Sequence, residues 1–178
     1  VEFPLADATL GDLKKYRAPD PDNPGRVRGL REKAKHLYEN TDYALCLDTV
    51  GLGIFETTWM VRGLENILCD IAADQNFAHG LLEKICEQKI GLYRNLLREI
   101  GDYIQVVFVS DDMGTQKAPM MSLDLYRKIL KPHQQRLWTA VKGFTKAKLF
   151  LHSCGSVYQY IPDFIEMGLD ILNPVQAS

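Results

Sequence analysis

Short apolar runs alternate with longer stretches of helical periodicity along this chain. The apolar runs are typical of buried strands, and they occupy 43–48, 103–109, 148–152 and 169–172. Between them, apolar residues recur at intervals of three and four, which is the spacing of an amphipathic helix. Helices are predicted over 25–40, 51–63 after a glycine loop, 64–73, 75–100, 122–141 with a break at Pro132, and 157–167. Strands and helices in alternation predict a parallel α/β sheet.

Each predicted strand delivers polar residues where it ends. These residues are Asp48, Asp111 with Asp112, His152 with Cys154, and Asn173 with Gln176. A (β/α)8 barrel assembles its active site at the carboxyl ends of its strands, and doubly wound sheets use the same face. A full barrel takes about 250 residues, so we predict one partial TIM-type (β/α)8 barrel domain over residues 1–178, with about four strands and their helices. A doubly wound sheet is the alternative.

Composition narrows the class of protein. The chain has 178 residues, of which 46% are hydrophobic and 25% charged, and its formal net charge is −2. Disordered chains have less apolar content, and nucleic-acid binders usually carry a basic surplus. No apolar run approaches the ~20 residues of a membrane helix. Four scattered cysteines are too few for a disulfide framework. We therefore expect a soluble, cytoplasmic protein with neither a nucleic-acid nor a membrane partner.

The pair His152 and Cys154 is the strongest local signal for chemistry. Side chains two residues apart at a strand end point to the same side, so imidazole and thiolate could bind one ion. This pair of ligand types is typical of zinc, which needs at least one further protein ligand. On the residues alone, the alternative is a chance spacing in which Cys154 is simply buried.

The remaining candidates have ordinary structural explanations as well. Asp111 and Asp112 open a polar loop, where paired acids could bind substrate, move a proton or cap a helix. Asp48 could equally cap a helix, and Trp59 could pack in the core. The other cysteines and histidines are predicted to be structural or solvated: Cys46, Cys69 and Cys86 in the core, His36 and His79 on solvated helix faces, and His133 without a predicted partner.

Three long blocks resemble the uroporphyrinogen decarboxylase superfamily. They are GLGIFETTWMVRG at 51–63, VSDDMGTQKAPMMSLDLYRKILKP at 109–132 and LFLHSCGSVYQYIPDFIEMGLDILNPVQ at 149–176. The resemblance implies a (β/α)8 barrel, of which this chain would be an internal or truncated piece. Because an open half-barrel leaves strand edges unpaired, we expect either a second copy, forming a homodimer, or further residues to cover them.

The superfamily divides into tetrapyrrole decarboxylases and zinc-dependent, corrinoid-linked methyltransferases. The resemblance favours the second branch, since decarboxylases have a tyrosine where this chain has Trp59 and lack the His-x-Cys pair. In the methyltransferases that pair provides two zinc ligands, which match His152 and Cys154. Their third ligand is a later cysteine, which would fall beyond Ser178. The implied activity is transfer of a methyl group from methylcobalamin on a partner corrinoid protein to a zinc-bound thiol.

Roles for the other strand-end residues follow from their position. Asp111 or Asp112 would orient the thiol or the corrinoid as catalytic residues, and the substrate would be bound by Asp48, Trp59, Gln116, Asn173 and Gln176. Two alternatives stay open. The first is decarboxylation of a tetrapyrrole without metal, and the second is a corrinoid- or tetrapyrrole-binding protein that has lost catalysis.

Overall fold

The computed structural model describes residues 2–176 and contains a parallel sheet of four strands. The strands are Cys46–Leu47 (β1), Val106–Ser110 (β2), Lys148–His152 (β3) and Ile171–Asn173 (β4). Their order in the sheet is β1-β2-β3-β4, so strands that are consecutive in the chain are neighbours in space. This order does not reverse as a doubly wound sheet does, and it is the order of a barrel wall.

Seven α-helices lie among residues 2–176. They are Leu30–Asn40 (α1), Ile54–Arg62 (α2), Leu64–Ala73 (α3), Gln75–Ile100 (α4), Leu123–Leu125 (α5), Lys131–Phe144 (α6) and Ile161–Glu166 (α7). The predicted helices are confirmed: α3 and α4 have the predicted bounds, α1, α2 and α7 are shorter, and α6 extends three residues further, to Phe144. Helix α1 begins only at Leu30, because Gly29 before it has a φ of 71°, in the left-handed region that favours glycine.

At Pro132 the structure shows a helical irregularity rather than an interruption, because residues 123–144 are helical throughout. Ser122 caps α5 by accepting the Leu125 N–H at 3.3 Å, and the chain then passes through a π-helical turn, Tyr126–Leu130, before α6 begins. Pro132 lies in the first turn of α6, directly after the π-helical turn, and prolines and π-helical turns are both usual causes of an irregular helix. The single helix expected over 122–141 is therefore three consecutive segments.

The two faces of the sheet differ because side chains alternate along a strand. Val107 and Val109 of β2, with Leu149 and Leu151 of β3, are buried in the core beneath the helices. Phe108 and Phe150 lie on the opposite face, half-buried, with their rings stacked 3.9 Å apart. In a closed barrel this second face lines the interior.

One prediction about the cysteines is wrong in part. Cys86 is buried in α4, as expected, but Cys46 and Cys69 are exposed. Cys46 pairs with Val106 in the sheet register, which places it on the same face as Phe108 rather than on the helix-covered face. A short apolar run cannot show which of its alternate residues face the helices.

Within residues 2–176, no helix combines the length and the apolar character needed to cross a membrane.

A glycine at the start of α2 allows that helix to approach the end of β2. A Cβ atom on Gly53 would lie 1.8 Å from the Ser110 carbonyl oxygen and 2.5 Å from the Asp111 carboxyl. We expect Gly53→Ala to lower the free energy of unfolding by about 1–3 kcal/mol, the usual effect of overpacking, as measured by urea denaturation. Gly143→Ala is the control, since a Cβ there meets nothing within 4 Å, and it should be neutral or stabilising by up to ~1 kcal/mol. Equal effects of the two substitutions would contradict this packing.

Candidate metal centre

Three side chains with metal-binding atoms meet where β2 and β3 end. Asp112, His152 and Cys154 each offer one atom, and these atoms lie within 4.8 Å of one another. The Nε2 atom of His152 is 3.3 Å from Cys154 Sγ and 4.0 Å from Asp112 Oδ1. Among residues 2–176 this is the one group of three or more such residues. The side chains of His152 and Asp112 are 39% and 33% exposed, so an ion can reach them from solvent.

Backbone hydrogen bonds fix the relative position of the two strand ends. The register pairs Ser110 with His152, and the Asp111 N–H donates to the His152 carbonyl at 2.9 Å. Beyond the strands, the Asp112 carboxylate accepts the Cys154 N–H at 2.7 Å. Asp112 is therefore held on the loop that carries the His-x-Cys pair.

The neighbouring strand β4 orients the histidine ring. Its register pairs Asn173 with His152, and Asn173 Oδ1 lies 3.0 Å from His152 Nδ1. An amide oxygen only accepts, so Nδ1 carries the hydrogen and the lone pair of Nε2 faces Cys154 and Asp112. Metal-binding histidines usually have such an outer partner. Gln176 contributes to the same loop, because its side-chain oxygen accepts the Gly155 N–H.

The local field keeps Cys154 protonated unless a cation is present. Partial burial raises the pKa of the Cys154 thiol, and the Asp112 carboxylate raises it further. A cation between the two groups would reverse this effect, because metal binding deprotonates a coordinating thiol. The arrangement is thus better suited to a metal ligand than to a free thiolate nucleophile.

Gly114 and Gly155 allow the loop that carries Asp112 to cross the loop that carries Cys154. Gly155 has a φ of 86°, and a Cβ on it would lie 2.2 Å from the Gly114 carbonyl oxygen. Close to this crossing, the Ser156 N–H donates to the Thr115 carbonyl at 2.7 Å. Any larger residue at either glycine would separate the loop of Asp112 from the loop of Cys154.

Asp111, next to Asp112, points away from this group into a buried polar cluster. Its Oδ1 accepts the Glu56 N–H at 3.0 Å, and its Oδ2 accepts from Gln134 Nε2 at 2.9 Å. Gly53 has no side chain with which to cap α2, so Asp111 supplies the cap from the end of β2. Burial raises the pKa of Asp111 to about 7, although its hydrogen bonds oppose this shift.

The cluster continues to α4 and to the first strand-end loop. Glu56 Oε2 accepts from the Gly53 N–H at 3.0 Å and the Ser110 hydroxyl at 2.8 Å. Lys89 donates to the Val50 carbonyl at 3.0 Å. Burial lowers the pKa of Lys89, while the Asp111 and Glu56 carboxylates act in the opposite direction.

The sequence analysis missed Glu56, Lys89 and Gln134, although two of them carry a signal. Glu56 stands three residues after Gly53, the position from which a glutamate reaches back to a helix start. Gln134 interrupts an apolar stripe that runs from Leu130, at the end of the π-helical turn, to Leu137 of α6, and a polar residue on such a stripe indicates a buried hydrogen-bond partner. For Lys89 we find no such signal.

Comparison with known proteins identifies the family. The sequence profile of the family described as uroporphyrinogen decarboxylase (URO-D) matches residues 3–174. The chain belongs to the URO-D family. That family has a TIM-barrel fold, and the four-stranded parallel sheet of this member is part of such a barrel.

A solved structure supports the fold assignment of this URO-D family member. The structure of a methyltransferase from Methanosarcina mazei superposes with a TM-score of 0.64 at 19% sequence identity. The match covers 94% of this chain and 45% of that chain, so this chain spans less than half the length of that protein. Among curated proteins, no sequence matches.

The structure brings together some of the predicted site residues of this family member. Asp112, His152, Cys154, Asn173 and Gln176 lie at one end of the sheet, whereas Asp111 lies among the buried residues. Three further predicted site residues lie elsewhere. The Asp48 carboxylate accepts the Thr49 N–H at 2.7 Å. Trp59 packs partly against the core, and Gln116 is exposed. Within residues 2–176 no hydrogen bond joins these three to the metal-binding group. The catalytic and substrate-binding roles stay predictions, and the ligand expected beyond Ser178 lies outside the described residues.

The raised pKa of Asp111 predicts a pH dependence of stability. Its folded pKa of about 7 lies above the ~3.9 of an unfolded aspartate, so the folded chain binds the extra proton between these values. Its contribution to stability is therefore complete below pH ~4 and is lost as the pH rises to about 7. In urea denaturation with a chelator present, we expect the stability of the wild type to decrease over this range relative to that of Asp111→Asn. The comparison is needed because the carboxylates of Asp163 and Asp170, whose pKa values are lowered, act in the opposite direction in both proteins. Asp124→Asn, at an exposed position, should keep the decrease, and an unchanged profile in Asp111→Asn would refute the assignment.

Proposed function

We propose that this chain is part of a zinc-dependent methyltransferase of the URO-D family, which transfers a methyl group from a partner corrinoid protein to a thiol. The observation that carries the proposal is the geometry of His152. Its Nδ1 is fixed by Asn173 at 3.0 Å, and its Nε2 lies 3.3 Å from Cys154 Sγ. The methyltransferase structure with which 94% of this chain superposes has the same fold, and this adds support.

The donor set fits zinc. Zinc binds thiolate, imidazole and carboxylate ligands, and Cys154, His152 and Asp112 provide one of each within 4.8 Å. Catalytic zinc sites have three protein ligands and leave the fourth position for water or substrate. The cysteine expected beyond Ser178 would replace or join Asp112 in this set.

The residues of the chain have separable tasks in this proposal. Bound zinc would supply the Lewis acidity that deprotonates a substrate thiol near neutral pH. Asn173 holds the imidazole of His152 in the required tautomer, and Cys154 gives up its proton when it binds the ion. Phe108 and Phe150, stacked on the same sheet face as His152, would form the apolar surface below the ion.

The family match favours a second candidate function. A URO-D family member could decarboxylate a tetrapyrrole without metal, and Asp111, a buried acid at the end of β2 with a raised pKa, would then be the candidate proton donor. The resemblance of the His-x-Cys pair to the methyltransferase branch places this candidate second. A corrinoid partner, a thiol or tetrapyrrole substrate, a homodimer and a cytoplasmic location are parts of the proposal that rest on the sequence resemblance and on composition.

Zinc content tests the ligand assignment. We expect the native protein, dialysed against a weak chelator, to retain zinc by plasma emission spectroscopy, and Cys154→Ser to retain at least ~10-fold less, because one of its ligands is lost. Cys69→Ser is the matched control, since Cys69 is an exposed cysteine in α3, and its zinc content should equal that of the wild type. Equal zinc in all three proteins would rule out Cys154 as a ligand.

Activity separates the two candidate functions. The native protein should methylate a thiol with methylcobalamin as donor, and this activity should disappear in Cys154→Ser. Release of carbon dioxide from uroporphyrinogen, unaffected by Cys154→Ser, would instead establish the decarboxylase. Corrinoid binding with neither activity would establish a binding protein without catalysis.

A further inference from the structure

Two histidines outside the strand-end site meet between two long helices. His79 of α4 and His133 of α6 lie with Nδ1 of the first 3.2 Å from Nε2 of the second. Their ring centroids are 5.5 Å apart and the ring planes are tilted by 48°. His133 is buried and His79 is half-buried. The expectation that His79 is solvated and that His133 has no partner is therefore wrong.

A carboxylate on the far side of His133 determines which ring donates the hydrogen bond. Glu83 Oε2 lies 3.4 Å from His133 Nδ1, so the hydrogen of this ring is on Nδ1 and faces the carboxylate. The lone pair of His133 Nε2 then accepts the hydrogen on His79 Nδ1. Among residues 2–176 the other nitrogen of His79, Nε2, has no hydrogen-bond partner, so it is the atom of the pair that can take up a first proton.

The charged surroundings of the pair lie on the same two helices. The groups that face it are Glu83, Cys86 and Glu87 of α4 and Arg136 of α6, while the N-terminal segment covers the neighbouring Gly80 with the apolar Leu10 and Leu13. Burial lowers the pKa of His133, and although the Glu83 carboxylate opposes this shift, His79 and Arg136 add to it. The folded chain therefore favours a neutral His133 at pH 7.

We propose that His79 and His133 form an acid-sensitive latch, which holds α6 against α4 and opens when both rings carry an extra proton. The neutral pair and the singly protonated pair each keep one N–H donor facing one lone pair, because the first proton adds to Nε2 of His79. A second proton on Nε2 of His133 uses up that lone pair and leaves two cations 3.2 Å apart beside Arg136. The two rings then repel each other.

Opening of the latch would reach the strand ends through Gln134. This residue follows His133 on α6, and its side chain donates to Asp111 Oδ2 at 2.9 Å and accepts from the Tyr126 hydroxyl at 3.0 Å. Movement of His133 away from α4 would therefore loosen the amide that holds the buried acid at the end of β2. This inference does not rest on the proposed methyltransferase function.

The latch predicts a loss of stability on the acidic side of neutrality. The pKa of His133 is lowered in the folded chain, so the unfolded chain, in which a histidine has a pKa of about 6.5, takes up the proton first. The contribution of the latch is therefore complete above pH ~6.5 and is lost as the pH falls below that value. Asp111 acts in the opposite direction over this range, because its contribution grows as the pH falls below about 7.

Urea denaturation of the full-length protein between about pH 8 and pH 5, with a chelator present, tests the latch against a matched variant. His133→Gln should lose less stability on acidification than the wild type, because glutamine can accept from His79 and donate to Glu83 without taking up a proton. His36→Gln should follow the wild type, since His36 is an exposed α1 residue that is hydrogen-bonded to Asn40 of the same helix. Parallel profiles of the wild type and His133→Gln would overturn the proposal.

A spectroscopic readout distinguishes a latch from a single buried histidine. In protein labelled with nitrogen-15 histidine, NMR should show a coupling between His79 Nδ1 and His133 Nε2 at neutral pH, and this coupling should disappear over the range in which stability is lost. His79→Phe keeps a ring but no donor, so it should abolish the coupling and reduce the acid-induced loss. This variant decides the question even if His133→Gln fails to fold, because His79 is only half-buried. An absent coupling at neutral pH, or an acid-induced loss unchanged in His79→Phe, would refute the latch.

Discussion

The hydrogen bond from the Asp111 N–H to the His152 carbonyl is the constraint on which the site depends. It extends the parallel ladder of β2 and β3 by one residue beyond the paired Ser110 and His152. Side chains alternate along an extended backbone, so this one bond directs Asp111 to the helix-covered face and Asp112 to the opposite face, beside His152. A slip of one residue would exchange the two acids and place the wrong carboxylate beside His152 and Cys154.

The buried Asp111 in turn connects the end of β2 to the surrounding helices. A buried carboxyl group is tolerated only when its oxygens are hydrogen-bonded, and Asp111 accepts from Glu56 of α2 and Gln134 of α6. Gly53 lets α2 approach closely enough for its N-terminal turn to reach that oxygen. The buried acid thus joins two helices to one strand, and the three candidate metal ligands lie at the end of this anchored pair of strands.

The elements and the closeness of His152 to Cys154 were predictable from the sequence because those signals are local. The runs around Val107 and Leu149 are dense in apolar residues, and His152 with Cys154 needs only a strand end to bring the side chains to one side. It was not predictable that Asp111 would be buried while Asp112 lies beside His152 and Cys154, because this depends on the residue at which β2 ends. Contacts between distant elements were also missed. His79 meets His133 across 54 residues of sequence, and only the packing of α4 on α6 brings them together.

Metal binding and substrate binding have different structural requirements in this fold. The three donors come from the ends of two adjacent strands, and the residue that orients the histidine comes from a third, so one part of a barrel wall is sufficient to form the group. A substrate cavity needs the walls on every side, and this chain matches only 45% of the methyltransferase structure with which it superposes. The exposed interior face around Cys46 and the stacked Phe108 and Phe150 has no opposite wall among residues 2–176. In the proposed methyltransferase, loss of activity without loss of zinc would therefore report on walls that residues 2–176 do not provide, whereas loss of zinc would report on the strand ends.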